Sequence, residues 1–472
     1  MPCHRRLSSF TVLLLCALAI LVPGMSVSSQ PANIDIAKLQ TEAVQRTREY
    51  LRINTTNPPG NEVESMRWFA RILKQEGIPF DTVVTAPGRG NIWARLKGGN
   101  APALLLLHHM DVVPADPKYW ETGPFAATTK DSVIFGRGAI DTKTLGVVQL
   151  ETFLALKRAN VPLNRDVIFM ATADEEAGGN FGAGWIVKNR PDAFKGAGLL
   201  LNEGGDGTLE PDGRMQFRIE VTQKTPLWLK LTAVGRPGHG STPSPASAVN
   251  RLIRALDRLQ TYEFTPRVVP AVGGYFAAIA PSMPARWKEG FSDAKKLIAD
   301  RNTLLELQLD RRELAALLRN TCAITMLQAS NKINVVPPEA EAQVDCRLLP
   351  DQDRAAFLRE FTAVLNEPDI KVEQIIGFTP AVSSTDNPLY RAIVDGIRRN
   401  YPGASIAPAV QTGFTDSHWF RDLGIASYGL GPFLIPVAET SGLHGNNERM
   451  SIENIKKGTA VMLEIVNAVV TR

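Results

Sequence analysis

Three apolar runs in the first half of the chain break off into ionisable residues, and this pattern limits the fold more than any other feature. Residues 103–107 run into His108-His109-Met110-Asp111, residues 166–171 lead to Asp174-Glu175-Glu176, and residues 197–201 meet Asn202-Glu203-Gly204-Gly205. An apolar run without alternation suits a strand covered on both faces. Residues 146–157 and 182–189 between these runs read as helices. Buried strands alternating with helices give an α/β sheet with helices on both faces. Ligands of such sheets bind beyond the carboxyl ends of the strands, which is where these polar residues fall.

The flanking segments extend the pattern. Residues 36–55 read as a helix, Asn57-Pro58-Pro59-Gly60 as a turn, and 62–75 as a second helix in which Met66, Phe69, Ile72 and Leu73 recur at helical spacing. Strands are expected at 81–84 and 91–96. The texture changes near Arg214: 215–222 and 227–234 read as alternating strands, 245–260 as an amphipathic helix and 282–319 as a charged, helix-rich insertion. Strands at 323–329, 340–347 and 370–376 and a helix at 353–365 complete a smaller layer, an antiparallel sheet with helices on one face. From residue 387 the first texture returns, with a helix to 400, a Gly-rich stretch to 447 and a closing helix at 451–469. A chain of 472 residues exceeds what one hydrophobic core usually serves. We therefore expect a mixed-sheet α/β catalytic domain, 35–214 and 383–472, interrupted by a smaller α+β domain at 215–382.

Composition excludes more than it assigns. The 52 basic and 48 acidic residues nearly balance, and no basic block interleaves with aromatics, so nucleic-acid binding has no support. Residues 1–28 read as an export signal, with His4, Arg5 and Arg6 ahead of an apolar run at 10–22. That run is short of the ~20 residues a membrane span needs, and no later stretch looks spanning. The expected location is the periplasm or the extracellular space. Loss of the signal removes Cys3 and Cys16 and leaves Cys322 and Cys346, which sequence leaves open between a disulfide and two buried thiols.

The polar residues behind the strands carry the chemistry. In extended backbone His109 and Asp111 share a face, so the carboxylate is placed to hold the imidazole's second nitrogen. His108 points the other way and reads as a structural histidine. Asp141, in Gly138-Ala139-Ile140-Asp141-Thr142, reads either as a helix cap or as a carboxylate bridging two metals. In Asp174-Glu175-Glu176, one Glu can coordinate while its neighbour takes a proton, and like charges so close call for a compensating cation. Glu203 adds a carboxylate and His444, among small residues, a second imidazole. Nitrogen and oxygen donors without thiolates suit a catalytic zinc site.

In these motifs, and in their order along nearly the whole chain, the sequence resembles the M20 zinc metallopeptidases. The stretches 136–143, 174–176 and 235–241 look closest to the carboxypeptidase S branch. The resemblance implies two zinc ions: His109 and Glu203 on one, Glu176 and His444 on the other, Asp141 between them, with Asp206 as the alternative to Glu203. It makes Glu175 the general base and Asp111 the residue orienting His109. The bond after the bridging Asp is usually a cis Asp-Asp in the family; Asp141-Thr142 departs from that. His239, in Gly235-Arg236-Pro237-Gly238-His239, matches the histidine that reaches the substrate carbonyl, frequently from the second subunit of a homodimer formed through the inserted lid domain. Asn334 and Arg347 match positions that help hold the substrate, and His418 is not a ligand. The implied reaction is hydrolysis of an amide bond in an N-acyl amino acid or short peptide with a free carboxylate. A carboxypeptidase or dipeptidase shares this chemistry; a metal-dependent binding protein would not need Glu175.

Overall fold

The computed structural model describes Met1 and residues 34–471. The expected signal at 1–28 therefore lies, Met1 apart, outside the described residues. The apolar runs form the middle of a ten-stranded sheet. Its order is Phe80–Ala86, Arg89–Leu96, Arg165–Thr172, Ala101–His109, Ala197–Asn202, Ala426–Gly429, Met215–Gln223, Gly207–Leu209 and Leu434–Pro436, with Ser405–Gln411 pairing alongside Met215–Gln223. Arg165–Thr172, Ala101–His109, Ala197–Asn202 and Ala426–Gly429 run parallel to one another. Their carboxyl ends therefore share one edge of the sheet.

Both faces are covered, as the unalternating runs require. In Ala101–His109 the residues Leu104, Leu105, Leu106 and Leu107 are all buried. Leu104 and Leu106 join the core beneath helices Ile36–Leu51, Glu62–Gln75, Lys143–Arg158 and Ile452–Val470. Leu105 and Leu107 face the opposite way, toward Ala183, Ile186 and Phe420. Lys143–Arg158 is buried almost all round, consistent with its place between the sheet and the outer helices.

The second sheet is antiparallel, in the order Thr321–Gln328, Glu339–Leu348, Thr225–Val234, Lys371–Gly377. Along Glu339–Leu348 the residues Ala340, Ala342, Val344, Cys346 and Leu348 pack under helices Ala248–Thr261 and Arg354–Leu365, while Asp345 and Arg347 turn to the other face. Cys322 and Cys346 face each other across neighbouring strands and are joined by a disulfide.

Met215–Gln223 changes sides relative to expectation. Its alternation placed it in the inserted unit, yet it pairs in the ten-stranded sheet, and the chain passes to the second sheet at Lys224. Period-two alternation reports one exposed face, not the sheet to which a strand belongs. The helical insertion also starts earlier than read, at Pro270–Ile279, because an Ala/Gly-rich run lacks an amphipathic signal. Ser405–Gln411 escaped notice because Pro408 interrupts it, a residue tolerated in strands mainly at edges. Among the described residues no helix is long and apolar enough to cross a membrane.

Leu106 sits at the centre of the larger core with no exposure. Leu106→Ala is expected to destabilise the protein by ~3 kcal/mol, read as a lower midpoint in urea unfolding with an unchanged slope.

Candidate metal centre

The shared edge of the parallel strands delivers the first donors. His109 ends its strand, Glu175 and Glu176 open a single helical turn just beyond Arg165–Thr172, and Glu203 follows Ala197–Asn202. Asp141 enters from the turn ahead of Lys143–Arg158, and His444 from the loop after Val437–Gly442.

These six side chains converge around Asp141. His109 Nε2 lies 2.9 Å from one Asp141 oxygen, and His444 Nε2 lies 3.0 Å from the other. Glu203 and Glu175 stand 3.5 and 3.9 Å from His109 Nε2, and Glu176 stands 3.3 Å from His444 Nε2. Donor atoms of His109, Asp141 and Glu176 lie within 4.8 Å of one another, as do those of His109, Glu175 and Glu203. Two donor groups thus share His109. His109 and Glu175 are buried, whereas half of the His444 side chain is exposed, so the centre opens on that side.

The electrostatics call for cations. Burial and then the charge of Glu203 hold Glu175 well above the usual carboxylate range. Burial, reinforced by Asp141, raises Glu176 to about 7, and burial raises Glu203. The imidazoles respond in the opposite sense. Burial alone would lower His109, but Glu203, Asp111 and Asp141 raise it; hydrogen bonds to Asp141 and Glu176 raise His444 to about 10. Glu176 Oε1 is buried without a hydrogen-bond partner. An orphaned carboxylate oxygen, crowded acidic groups and an all-N/O donor set fit a dinuclear centre.

Two buried carboxylates brace the centre from behind. Asp111 Oδ1 accepts the Glu175 amide at 3.1 Å, and Oδ2 accepts the Glu176 amide at 3.1 Å and Asn57 Nδ2 at 2.7 Å. From sequence its carboxylate was expected to hold His109. The ring nitrogen Nδ1 lies 3.0 Å from the Asp111 main-chain oxygen and 3.5 Å from its carboxylate.

Glu448 escaped the sequence reading. It is fully buried and accepts Arg137 Nη1 at 2.7 Å and the amides of Gly138, Ile140 and Asp141 at 2.9, 2.6 and 3.0 Å. Arg137 Nη2 also donates to the Gly445 carbonyl at 2.7 Å. The turn carrying Asp141 is thereby tied to the loop carrying His444. The only signal in sequence was an acidic residue four positions after His444, which reads equally well as solvated. The Asp141–Thr142 peptide is cis, a point that the threonine had left open in sequence.

The remaining candidates separate. Arg347 lines a cleft of about 600 Å³ that also holds Asp141, Glu175, Glu176 and Glu203, with an apolar wall including Ile140, Trp228, Phe414, Phe433 and Leu443. Asp345 grips Arg347 through Nε and Nη2 at 2.7 and 3.0 Å. His239 and Asn334 are exposed and do not line this cleft; Nδ1 of His239 lies 2.8 Å from Ser241 Oγ. Asp206 is bound to Arg218 at 2.6 Å and stands apart from the donor groups. His108 is buried against Tyr50, Phe69 and Phe169, where burial lowers it to about 3 and keeps it neutral. His418 stacks on Phe378 and is likewise no donor to the centre.

The sequence signature of peptidase family M20/M25/M40 matches residues 105–468, which spans every residue of the centre. The chain belongs to the M20 peptidase family. It is 31% identical over 364 residues to the N-fatty-acyl-amino acid synthase/hydrolase PM20D1 of Xenopus tropicalis, covering 75% of this chain and 69% of that one. To the probable carboxypeptidase S-like 2 of Dictyostelium discoideum it is 28% identical, covering 77% and 71%. Its fold matches the M20 metallo-carboxypeptidase Sso-CP2 of Sulfolobus solfataricus at a TM-score of 0.68 and 21% identity, over 90% of this chain and 98% of that one. Human carnosine dipeptidase 1 matches at 0.61 and 19%, over 92% and 97%. Family and donor geometry together make this M20 protein a metal-dependent hydrolase.

Glu448→Ala leaves Arg137 and three amides without their buried acceptor. It is expected to cost ~3 kcal/mol of stability and to weaken metal binding ~10–100-fold, measured by thermal unfolding and by competition with a chromogenic chelator.

Proposed function

We propose that this M20 enzyme hydrolyses the amide bond of N-acyl amino acids at a two-zinc centre. His109 and Glu203 would serve one ion, Glu176 and His444 the other, with Asp141 between them. The observation that carries the reading is the division of Asp141, one oxygen toward each imidazole, with Glu175 close by in a cleft that also presents Arg347. Bound zinc would polarise the scissile carbonyl and acidify a shared water to near neutrality. Glu175 takes the proton from the attacking water and passes it to the departing nitrogen. Arg347 pairs with the free carboxylate of the amino-acid half, and the apolar wall receives the acyl chain. The naming of PM20D1 as an N-fatty-acyl-amino acid synthase/hydrolase supports this substrate class.

His239 would act from a second copy of the chain, steadying the carbonyl oxygen, with Asn334 beside it. Its exposure away from its own cleft supports that arrangement. Exposed Met326, Leu327, Ile333 and Val335, along and beyond the edge strand Thr321–Gln328, support a homodimer joined through the inserted domain. Export to the periplasm or extracellular space, with loss of 1–28, is supported by the bonded Cys322 and Cys346. A carboxypeptidase or dipeptidase is the second reading, favoured by the relatives bearing those names.

The zinc-loaded enzyme is expected to cleave N-acyl amino acids and to spare the matching N-acyl amines, which lack the carboxylate, in a liquid-chromatography assay of released amine. Preferential cleavage of free dipeptides would move the assignment to peptidase. Removing metal with a chelator is expected to abolish turnover and added zinc to restore it. Glu175→Ala is expected to keep its zinc by elemental analysis yet lose at least ~1,000-fold in kcat; normal turnover in that variant rules out Glu175 as the base.

A further inference from the structure

The turn Asn57-Pro58-Pro59-Gly60 has no part in the reaction outlined above, yet it lies directly behind the centre. Asn57 is buried, and both ends of its amide are engaged. Nδ2 donates to Asp111 Oδ2 at 2.7 Å, and Oδ1 accepts from Arg89 Nη2 at 2.7 Å. The orientation follows from the partners, since a carboxylate accepts and a guanidinium only donates. Arg89 in turn donates to Glu62 Oε1 at 2.6 Å and stands 3.3 Å from Asp174 Oδ1. Gly60, at φ +87°, makes room for this guanidinium, because a Cβ there would collide with Arg89 Nη1.

Two of the three carboxylates reached by this unit, Asp111 and Asp174, hold the loop that carries Glu175. Asp111 receives the amides of Glu175 and Glu176. Asp174 immediately precedes them, takes a left-handed backbone at φ +70°, and accepts the Phe181 amide at 3.0 Å. An L-residue in that region is disfavoured unless its surroundings hold it. None of Asn57, Arg89, Glu62 and Asp111 lines the cleft.

We propose that Asn57 is a positioning residue which, with Arg89, fixes the place of Glu175 through Asp111 and Asp174. The proposal rests on the assignment of Glu175 as the base. A side chain here must donate to one carboxylate while accepting from a guanidinium, and an amide does both. Aspartate keeps the shape but offers only acceptors, and so sets a third acidic group against Asp111 and Asp174. Alanine leaves Arg89 Nη2 and Asp111 Oδ2 each one partner short.

The test uses the full zinc-loaded chain carrying Asn57→Ala or Asn57→Asp, with Asn57→Ser in reserve if the Asp variant is not recovered folded. With an N-acyl amino acid that the wild type cleaves, kcat is expected to fall ~10–100-fold, more for Asp than for Ala, while KM stays within about twofold and zinc content is unchanged. In a Glu175→Asp background, where the base is already displaced, the same substitution is expected to cost less than half as much on a logarithmic scale, because coupled residues do not add. Independently of turnover, hydrogen exchange in metal-free protein is expected to quicken about tenfold in the segment 173–181 and to stay unchanged in Arg165–Thr172. Unchanged kcat, an undiminished loss in the Glu175→Asp background, or faster exchange throughout the large sheet each overturns the proposal. A wild type that cleaves no N-acyl amino acid or dipeptide defeats the reading of the site, and the exchange comparison still decides the role of Asn57.

Discussion

Repulsion among buried carboxylates is the constraint around which this protein is organised. Glu175, Glu176, Glu203 and Asp141 gather at one edge of a sheet whose interior is leucine, valine and phenylalanine. Burial raises Asp416 close by to about 8 for the same reason. Such a cluster cannot ionise fully without cations, and two imidazoles supply only part of the compensation. The parallel strands, the Asp141 turn held by Glu448 and the loop stapled by Asp111 keep these groups together where repulsion alone would scatter them. A bound metal would supply the compensation that neutral side chains cannot, and the crowded N/O donor set suits one.

Much of this was legible in the sequence because the parallel strands are covered on both faces. Leu104 to Leu107 leave no ambiguity between strand and surface helix, and the residues after each run mark the site. His444 was singled out as an imidazole among small residues, but its pairing with Glu176 on an ion separate from that of His109 came only through family resemblance. What remained hidden is of two kinds. Glu448 and Arg89 are buried charges and Asn57 a buried amide, each paired with partners far along the chain, and a lone polar residue looks the same in sequence whether solvated or paired. Strands such as Ser405–Gln411 are short or carry proline, so the periodicity that reveals a strand never accumulates.

The inserted sheet contributes by orientation more than by mass. Its Arg347 faces the cleft, with Asp345 on the same side of the strand, because alternation in Glu339–Leu348 gives the opposite face to the helices. Asp345 holds Arg347 through two of its nitrogens, which turns a flexible cation into a directed one. His239 and Asn334 lie beyond the opposite end of its two middle strands, where Val234 pairs with Glu339, and both are exposed.

The bond between Glu448 and the Asp141 turn also sets a schedule. His444 and its anchor arrive some three hundred residues after the turn they complete, and the helix Ile452–Val470 must still pack beside Ile36–Leu51 and Lys143–Arg158. A chain emerging in order from its N-terminus holds Asp141 and Glu175 long before it holds its second imidazole. Until His444 has emerged, the donor set around Asp141 lacks its second imidazole. The centre therefore closes only when two stretches far apart in the chain have both been made.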